Sequence, residues 1–238
     1  MEIKLWKKPK SPTIIEGFPG FGLVGTIASE FLIDHLETEM IGKVTIEDFP
    51  PMIAIHDKKV VEPMGIFYNK KYNLVIVHAI TASNGLEWKL SNKIFDLANS
   101  LNAKEIVCLE GVGSAQPDAK PTNKTFFHAT KDSNSKKLVN LKVNQLKEGI
   151  IMGVTGAMLV NAEKTPVTAL FSETASNLPD SKAAANIIAT LDKYLGLKVD
   201  PKPLLQKAAD VESKLKDLFS KSQEASEIAE KKKLSYVG

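Results

Sequence analysis

Short, nearly continuous apolar runs recur along the chain, separated by stretches whose apolar residues return every three or four positions. Residues 13–16, 74–80, 105–109 and 166–171 are of the first kind. A run such as Leu74-Val75-Ile76-Val77 suits a strand buried on both faces, as in a parallel sheet. Residues 43–46, 52–56, 65–68 and 125–129 add shorter strands. Residues 23–36 are of the second kind, with Val24, Ile27, Ala28, Phe31, Leu32 and Leu36 at helical spacing. Residues 86–101 repeat the pattern with Leu86, Leu90, Ile94, Leu97 and Leu101. A further helix opens at Pro179-Asp180-Ser181, where Asp180 or Ser181 can accept from the free N–H groups of the first turn, and it runs to about Tyr194 before the stop at Gly196. Residues 132–137 read as polar surface. Residues 149–156 read as an apolar, glycine-punctuated lead into a short helix over 157–162.

Strands alternating with helices predict an α/β protein: a three-layer α/β/α sandwich on a mixed, mostly parallel sheet. The helix-free region 43–80 enlarges that sheet. A composition break at Val199-Asp200-Pro201-Lys202-Pro203 bounds the α/β domain at residues 1–200. Beyond it, Leu204, Ala208, Val211, Leu215, Leu218, Ser222, Ala225 and Ala229 alternate spacings of four and three, a heptad stripe that predicts a C-terminal helix over 201–232. The stripe decays to Ser and Ala, so its second half packs weakly or against another subunit. Residues 233–238 form an expected flexible tail.

Composition narrows the function classes. The net charge of +3 on 238 residues is too small to point to nucleic acid. Cys108 is the single cysteine, which rules out a disulfide framework and fits a reducing compartment. The opening MEIKLWKKPK lacks an apolar leader core, and no run approaches the roughly 18 apolar residues of a membrane span, so a cytoplasmic protein is expected. All 31 basic residues are lysine. Arginine, the usual bidentate partner of phosphate and carboxylate, is absent, which weakens phosphate chemistry.

Gly20-Phe21-Gly22-Leu23-Val24-Gly25 has the G-x-G-x-x-G spacing of a dinucleotide loop, with Glu47 and Asp48 standing for the ribose-binding acid expected about 20 residues on. Pro19 before the first glycine, and the bulky Phe18 and Phe21, depart from a phosphate loop; the alternative is a tight strand-to-helix turn. Ser83, ahead of Asn84-Gly85, resembles a nucleophile elbow whose triad would need Glu110 or Asp118 and His128, but Thr81 replaces the first glycine, and a helix N-cap serves as well. His35, His56, His78 and His128 are scattered without ligand spacing, so no metal is expected, and His78 reads as a hydrogen-bonded core residue. Glu110 and Glu173 lie at strand ends, where α/β sites gather.

Four segments together carry a family resemblance: Gly17-Phe18-Pro19-Gly20-Phe21-Gly22-Leu23-Val24-Gly25-Thr26-Ile27-Ala28; Glu110-Gly111-Val112-Gly113; Gly153-Val154-Thr155-Gly156; and Phe171-Ser172-Glu173-Thr174 followed by Leu178-Pro179-Asp180. In order and spacing they resemble the proteasome assembly chaperone 2 (PAC2) family in its archaeal form, over residues 10–220. The resemblance implies a sandwich like that of purine nucleoside phosphorylases, no catalytic set, no cofactor, homo-oligomers, and a role in assembling the 20S proteasome core through its α subunits. Some members end in a hydrophobic–tyrosine–any-residue motif that inserts between α subunits. Here Leu234, Ser235, Tyr236, Val237 and Gly238 end the chain, with tyrosine third from the end, so the motif is displaced by one position. The competing expectation is a nucleotide- or nucleoside-binding enzyme using the Gly17–Gly25 loop.

Overall fold

The computed structural model describes residues 1–47, 54–56, 59–80, 85–113, 124–174 and 178–235. Strands β1 (Glu2–Leu5), β2 (Thr13–Gly17), β3 (Glu39–Thr45), β6 (Met64–Asn69), β7 (Leu74–Ala79), β8 (Glu105–Gly113), β9 (Thr125–Ala129), β10 (Asn144–Gln145) and β11 (Val167–Thr174) build one sheet. A small hairpin pairs β4 (Ala54–His56) with β5 (Lys59–Val61). The helices are α1 (Val24–His35), α2 (Glu87–Leu101), α3 (Asp132–Asn140), α4 (Gly153–Val160), α5 (Ser181–Leu195), α6 (Lys202–Gln206) and α7 (Ala208–Ser235).

The sheet order is β1-β3-β6-β7-β2-β8-β11-β9-β10. Its centre, β7-β2-β8-β11, is parallel. Antiparallel pairs extend it, through β6, β3 and β1 on one side and β9 on the other. The central strands are those read as continuous apolar runs, and all six residues of β7 are buried.

Alternation along each strand divides the core into two layers. Ile15, Ile76, Val107, Leu109 and Leu170 meet Ile27, Phe31 and Leu32 of α1 and Ile187, Ile188 and Leu191 of α5. Ile14, Val75, Val77, Ile106 and Phe171 meet Leu90, Ile94 and Leu97 of α2 and Val154 and Met158 of α4. This is the expected α/β/α sandwich.

Two helices correct the sequence reading. Residues 132–137, read as polar surface, begin α3; only Leu138 of that helix is buried, so there is no apolar repeat to detect. Helix α4 starts at Gly153 rather than 157, because Gly153 takes a left-handed φ of 74° that swings the chain straight into the helix. The cap of α5 follows expectation, with Asp180 Oδ1 accepting from the Ala183 N–H at 2.9 Å. Helix α7 packs on α5 and α6. Leu215 is buried, Lys214 reaches Glu30 of α1 at 2.6 Å, and Glu212 accepts from the Ser181 N–H at 3.0 Å. Of the expected flexible tail 233–238, residues 233–235 instead continue α7, and 236–238 lie outside the described residues.

Candidate functional site

The carboxyl ends of β2 and β8 meet the first turn of α4, and three polar side chains converge there. Glu16 is the penultimate residue of β2 and stands beside Cys108 of β8 in register. Glu110 lies two residues further along β8, on the same face. Thr155, third residue of α4, bridges them, with its Oγ1 3.3 Å from Glu16 Oε2 and 3.2 Å from Glu110 Oε2.

The glycine turn wraps this pair. Glu16 Oε1 accepts from the Phe18 N–H at 3.1 Å, and Glu110 Oε1 from the Gly111 N–H at 3.1 Å. The Phe21 backbone N–H also acts on Glu110. A Cβ at Gly20 would fall inside the Glu110 carboxylate. Gly22 has φ 67°, and a Cβ there would sit 2.9 Å from the Thr174 side chain. Leu23 continues in the left-handed region at φ 48° before α1 begins. Gly20 and Gly22 are therefore glycine for close approach and for turn conformation. Gly25 rests against the Leu109 carbonyl, Gly17 against Ser29, Gly111 against the Phe21 carbonyl and Gly156 against the Ile151 carbonyl.

Burial dominates the electrostatics. It pushes Glu16 up to about 7, against hydrogen bonds from Cys108, Thr155 and Phe18. It pushes Glu110 up to about 8, with the Glu16 charge adding to the effect. Burial and the Glu16 charge raise the Cys108 thiol well above its usual range, so it is a poor nucleophile. Behind the turn, on the opposite face of the sheet, His78 Nδ1 lies 2.7 Å from Ser29 Oγ. Ser29 also reaches the carbonyls of Thr26 and Gly17, so the set is fully bonded when Nδ1 carries the ring proton and donates to Ser29 Oγ. Burial holds His78 down to about 4.

Chemically, two backbone donors of the turn, the Phe18 and Phe21 N–H groups, are already engaged by the chain's own carboxylates. The spacing of a phosphate cradle is present, and Glu110 fills it. The ribose-binding position is not built, since Glu47 follows β3, which lies three strands from β2 on the antiparallel flank; Asp48 lies outside the described residues. Of the elbow triad, Ser83 and Asp118 also lie outside them, while His128 is exposed on β9, two strands from Glu110. Among the described residues no group of three or more His, Cys, Asp or Glu is placed to hold a metal ion. None of their helices is long and apolar enough to cross a membrane.

Residues 14–219 match the PAC2 family, from β2 into α7. The chain belongs to the PAC2 family. PbaA of Pyrococcus furiosus, described as an archaeal homolog of proteasome-assembly chaperone, shares its structure at a TM-score of 0.83 and 30% identity, covering 94% of this chain and 99% of that one. PbaB of the same organism, described as an archaeal proteasome activator, shares the fold at a TM-score of 0.73 and 23% identity, covering 91% and 98%. The MJ0106 protein of Methanocaldococcus jannaschii is 28% identical over 214 residues, 88% of this chain and 86% of that protein.

In this PAC2 chain, three of the glycine segments meet at one point: 17–25, 110–113 and 153–156. Gly113 faces the Phe21 ring at the end of β8, and Gly153 starts α4. The fourth segment flanks them. Thr174 Oγ1 donates to Asp180 Oδ2 at 2.8 Å, and the Asp180 N–H donates to the Gly22 carbonyl at 3.0 Å. Glu173 lies on β11 opposite Val112. Phe18 is buried in the α2/α4 layer; Pro19 and Phe21 are half-buried. The tail residue Leu234 lies in α7, while Tyr236, Val237 and Gly238 are outside the described residues. Sequence reasoning missed Glu16 and Ser29 as site residues. For Glu16 a signal was present: Ile14-Ile15-Glu16-Gly17 and Cys108-Leu109-Glu110-Gly111 both end an apolar strand in Glu-Gly, and these strands are neighbours.

Proposed function

We propose that this chain is a non-enzymatic assembly factor for the proteasome, acting as an oligomer through protein–protein contacts in the cytoplasm. The observation that carries the reading is the likeness to PbaA, at 30% identity across 94% of the chain. The filled glycine cradle supports it, because a turn closed over its own carboxylates serves helix–sheet packing. The docking element is the tail segment Leu234, Tyr236, Val237 and Gly238, which engages the α subunits. Tyr236 supplies an aromatic anchor, and Lys231, Lys232 and Lys233 steer it toward acidic surface. Several such tails on one oligomer bind by avidity, so effective concentration replaces single-site affinity.

Native mass spectrometry of the protein, alone and with the proteasome α and β subunits of its own organism, tests the proposal. A discrete oligomer that captures α subunits is expected. A protein that ignores both subunits overturns the assembly role. Deleting residues 234–238 is expected to abolish capture, and undiminished capture removes the tail from the mechanism.

A further inference from the structure

Thr155 has one hydroxyl proton and stands within hydrogen-bonding range of two carboxylate oxygens, 3.3 Å from Glu16 and 3.2 Å from Glu110. One proton satisfies one of those contacts. The other is a hydrogen bond only when a carboxyl is itself protonated and donates to Thr155 Oγ1. The outer oxygens need no such proton, since Glu16 Oε1 and Glu110 Oε1 already accept from backbone N–H groups. Beside the Cys108 S–H, which also bonds Glu16, the arrangement around Thr155 is fully bonded when one proton is held between the two carboxyls.

The surroundings agree. The groups acting most on the pair are Cys108, Thr155 and the N–H groups of Phe18, Phe21 and Gly111, and none is a cation. Glu173 projects from β11 into the same layer and is another carboxylate. On α2, Lys89 is exposed and Lys93 pairs with Asp96. His78 is turned to the opposite face, on Ser29. Thr155 sits in the first turn of α4, whose dipole favours one negative charge there. None of these described groups would compensate a second charge on the pair.

We propose that Glu16, Thr155 and Glu110 form a proton-gated clasp joining the glycine turn to α4. With one proton shared across Thr155 the clasp is shut. When that proton leaves to bulk water, two ionised carboxylates face one hydroxyl, and the first turn of α4 comes away from the sheet. Ile150 and Met152, 88% and 79% exposed, directly precede that turn, so the clasp sets how this apolar step is presented. The raised affinity of both carboxyls for protons puts the change in the neutral to mildly alkaline range.

The test is amide hydrogen exchange over residues 18–22 and 153–157, corrected for intrinsic base catalysis, alongside infrared spectra of the carboxylic-acid carbonyl band. The shut form binds one proton more than the open form. Its protection is therefore expected to fall by about tenfold per pH unit between pH 6 and 8, then level off. Glu110→Gln keeps a neutral group on Thr155 and is expected to hold its protection through pH 8. Thr155→Val removes the bridge and is expected to be as unprotected at pH 6 as the natural protein is at pH 8. PH-independent protection in the natural protein, pH-dependent loss in Glu110→Gln, or full protection in Thr155→Val overturns the clasp. So does the absence of a carboxylic-acid band at pH 7. If Glu110→Gln does not fold, Glu16→Gln carries the same expectation.

Discussion

A methyl group at Gly20 would land in the Glu110 carboxylate, whereas one at Gly113 would meet only the Phe21 ring at 3.7 Å. Gly20→Ala is therefore expected to cost about 1–3 kcal/mol by overpacking, and Gly113→Ala to stay within about 0.5 kcal/mol of the natural protein. Paired urea melts check both. His78 gives a pH dependence of its own. Its folded value, about 4, lies below the ordinary 6.5, so its contribution is present above pH 6.5 and lost as pH falls toward 4. The expected loss is on the order of 3 kcal/mol. An acid-side denaturation series compared with His78→Asn measures it; an unchanged acid limb in the variant would contradict the assignment. At this scale the glycine spacing was legible in the sequence, and so was His78 as a core residue. The reason for the spacing was not, because it depends on Glu110 arriving from a strand 85 residues or more downstream of the turn, and Thr155 from a helix further still.

Helix ends carry much of what joins the elements. Asp180 caps α5, receives Thr174, and through its own N–H holds Gly22. Asp180→Ala is expected to cost about 1–2 kcal/mol, at the upper end of a lost cap because the Thr174 hydroxyl loses its acceptor as well. Thermal unfolding gives the total, and faster exchange at the Ala183 amide localises it. Helix α7 spends its first turns on the body, where Leu215 is buried and Lys214 closes on Glu30 beside a cleft of about 160 Å³ lined by Ile27, Phe31, Leu204 and Val211. Leu215→Ala is expected to cost about 2–5 kcal/mol, while Glu224→Ala, on the exposed side, should be silent in the same melt. The heptad stripe announced this helix from sequence, α1 and α2 were clear from their apolar spacing, and α5 from its cap and its glycine stop. Helix α3 was not, because one buried residue in nine leaves no period.

For the whole molecule, the sheet order bears on the dinucleotide expectation. A dinucleotide fold would set the strand bearing the ribose acid beside β2, but β7 and β8 occupy both sides of β2 and are parallel to it. A nucleotide at the turn would also have to displace Glu110 from its backbone donors. Millimolar ATP, NAD or nucleosides are therefore expected to leave the melting temperature unchanged; a ligand that bound the folded form would raise it by mass action. A clear upward shift would reopen the enzyme reading.

Local pattern by itself determined the strands buried on both faces, the main helices, the cap of α5, the α/β/α class and the glycine turn between β2 and α1. These follow from side-chain period and backbone preference, which act within a few residues. Only the tertiary structure decided that β3 belongs to a flank, that α7 is anchored on α1 and α5, and that two Glu-Gly strand ends meet under Thr155. Those facts depend on contacts between segments far apart in the chain. Burial then changes what the residues are chemically: carboxyls that would be ionised in water hold their protons more tightly, and a loop spaced for phosphate closes on a carboxyl the chain supplies itself.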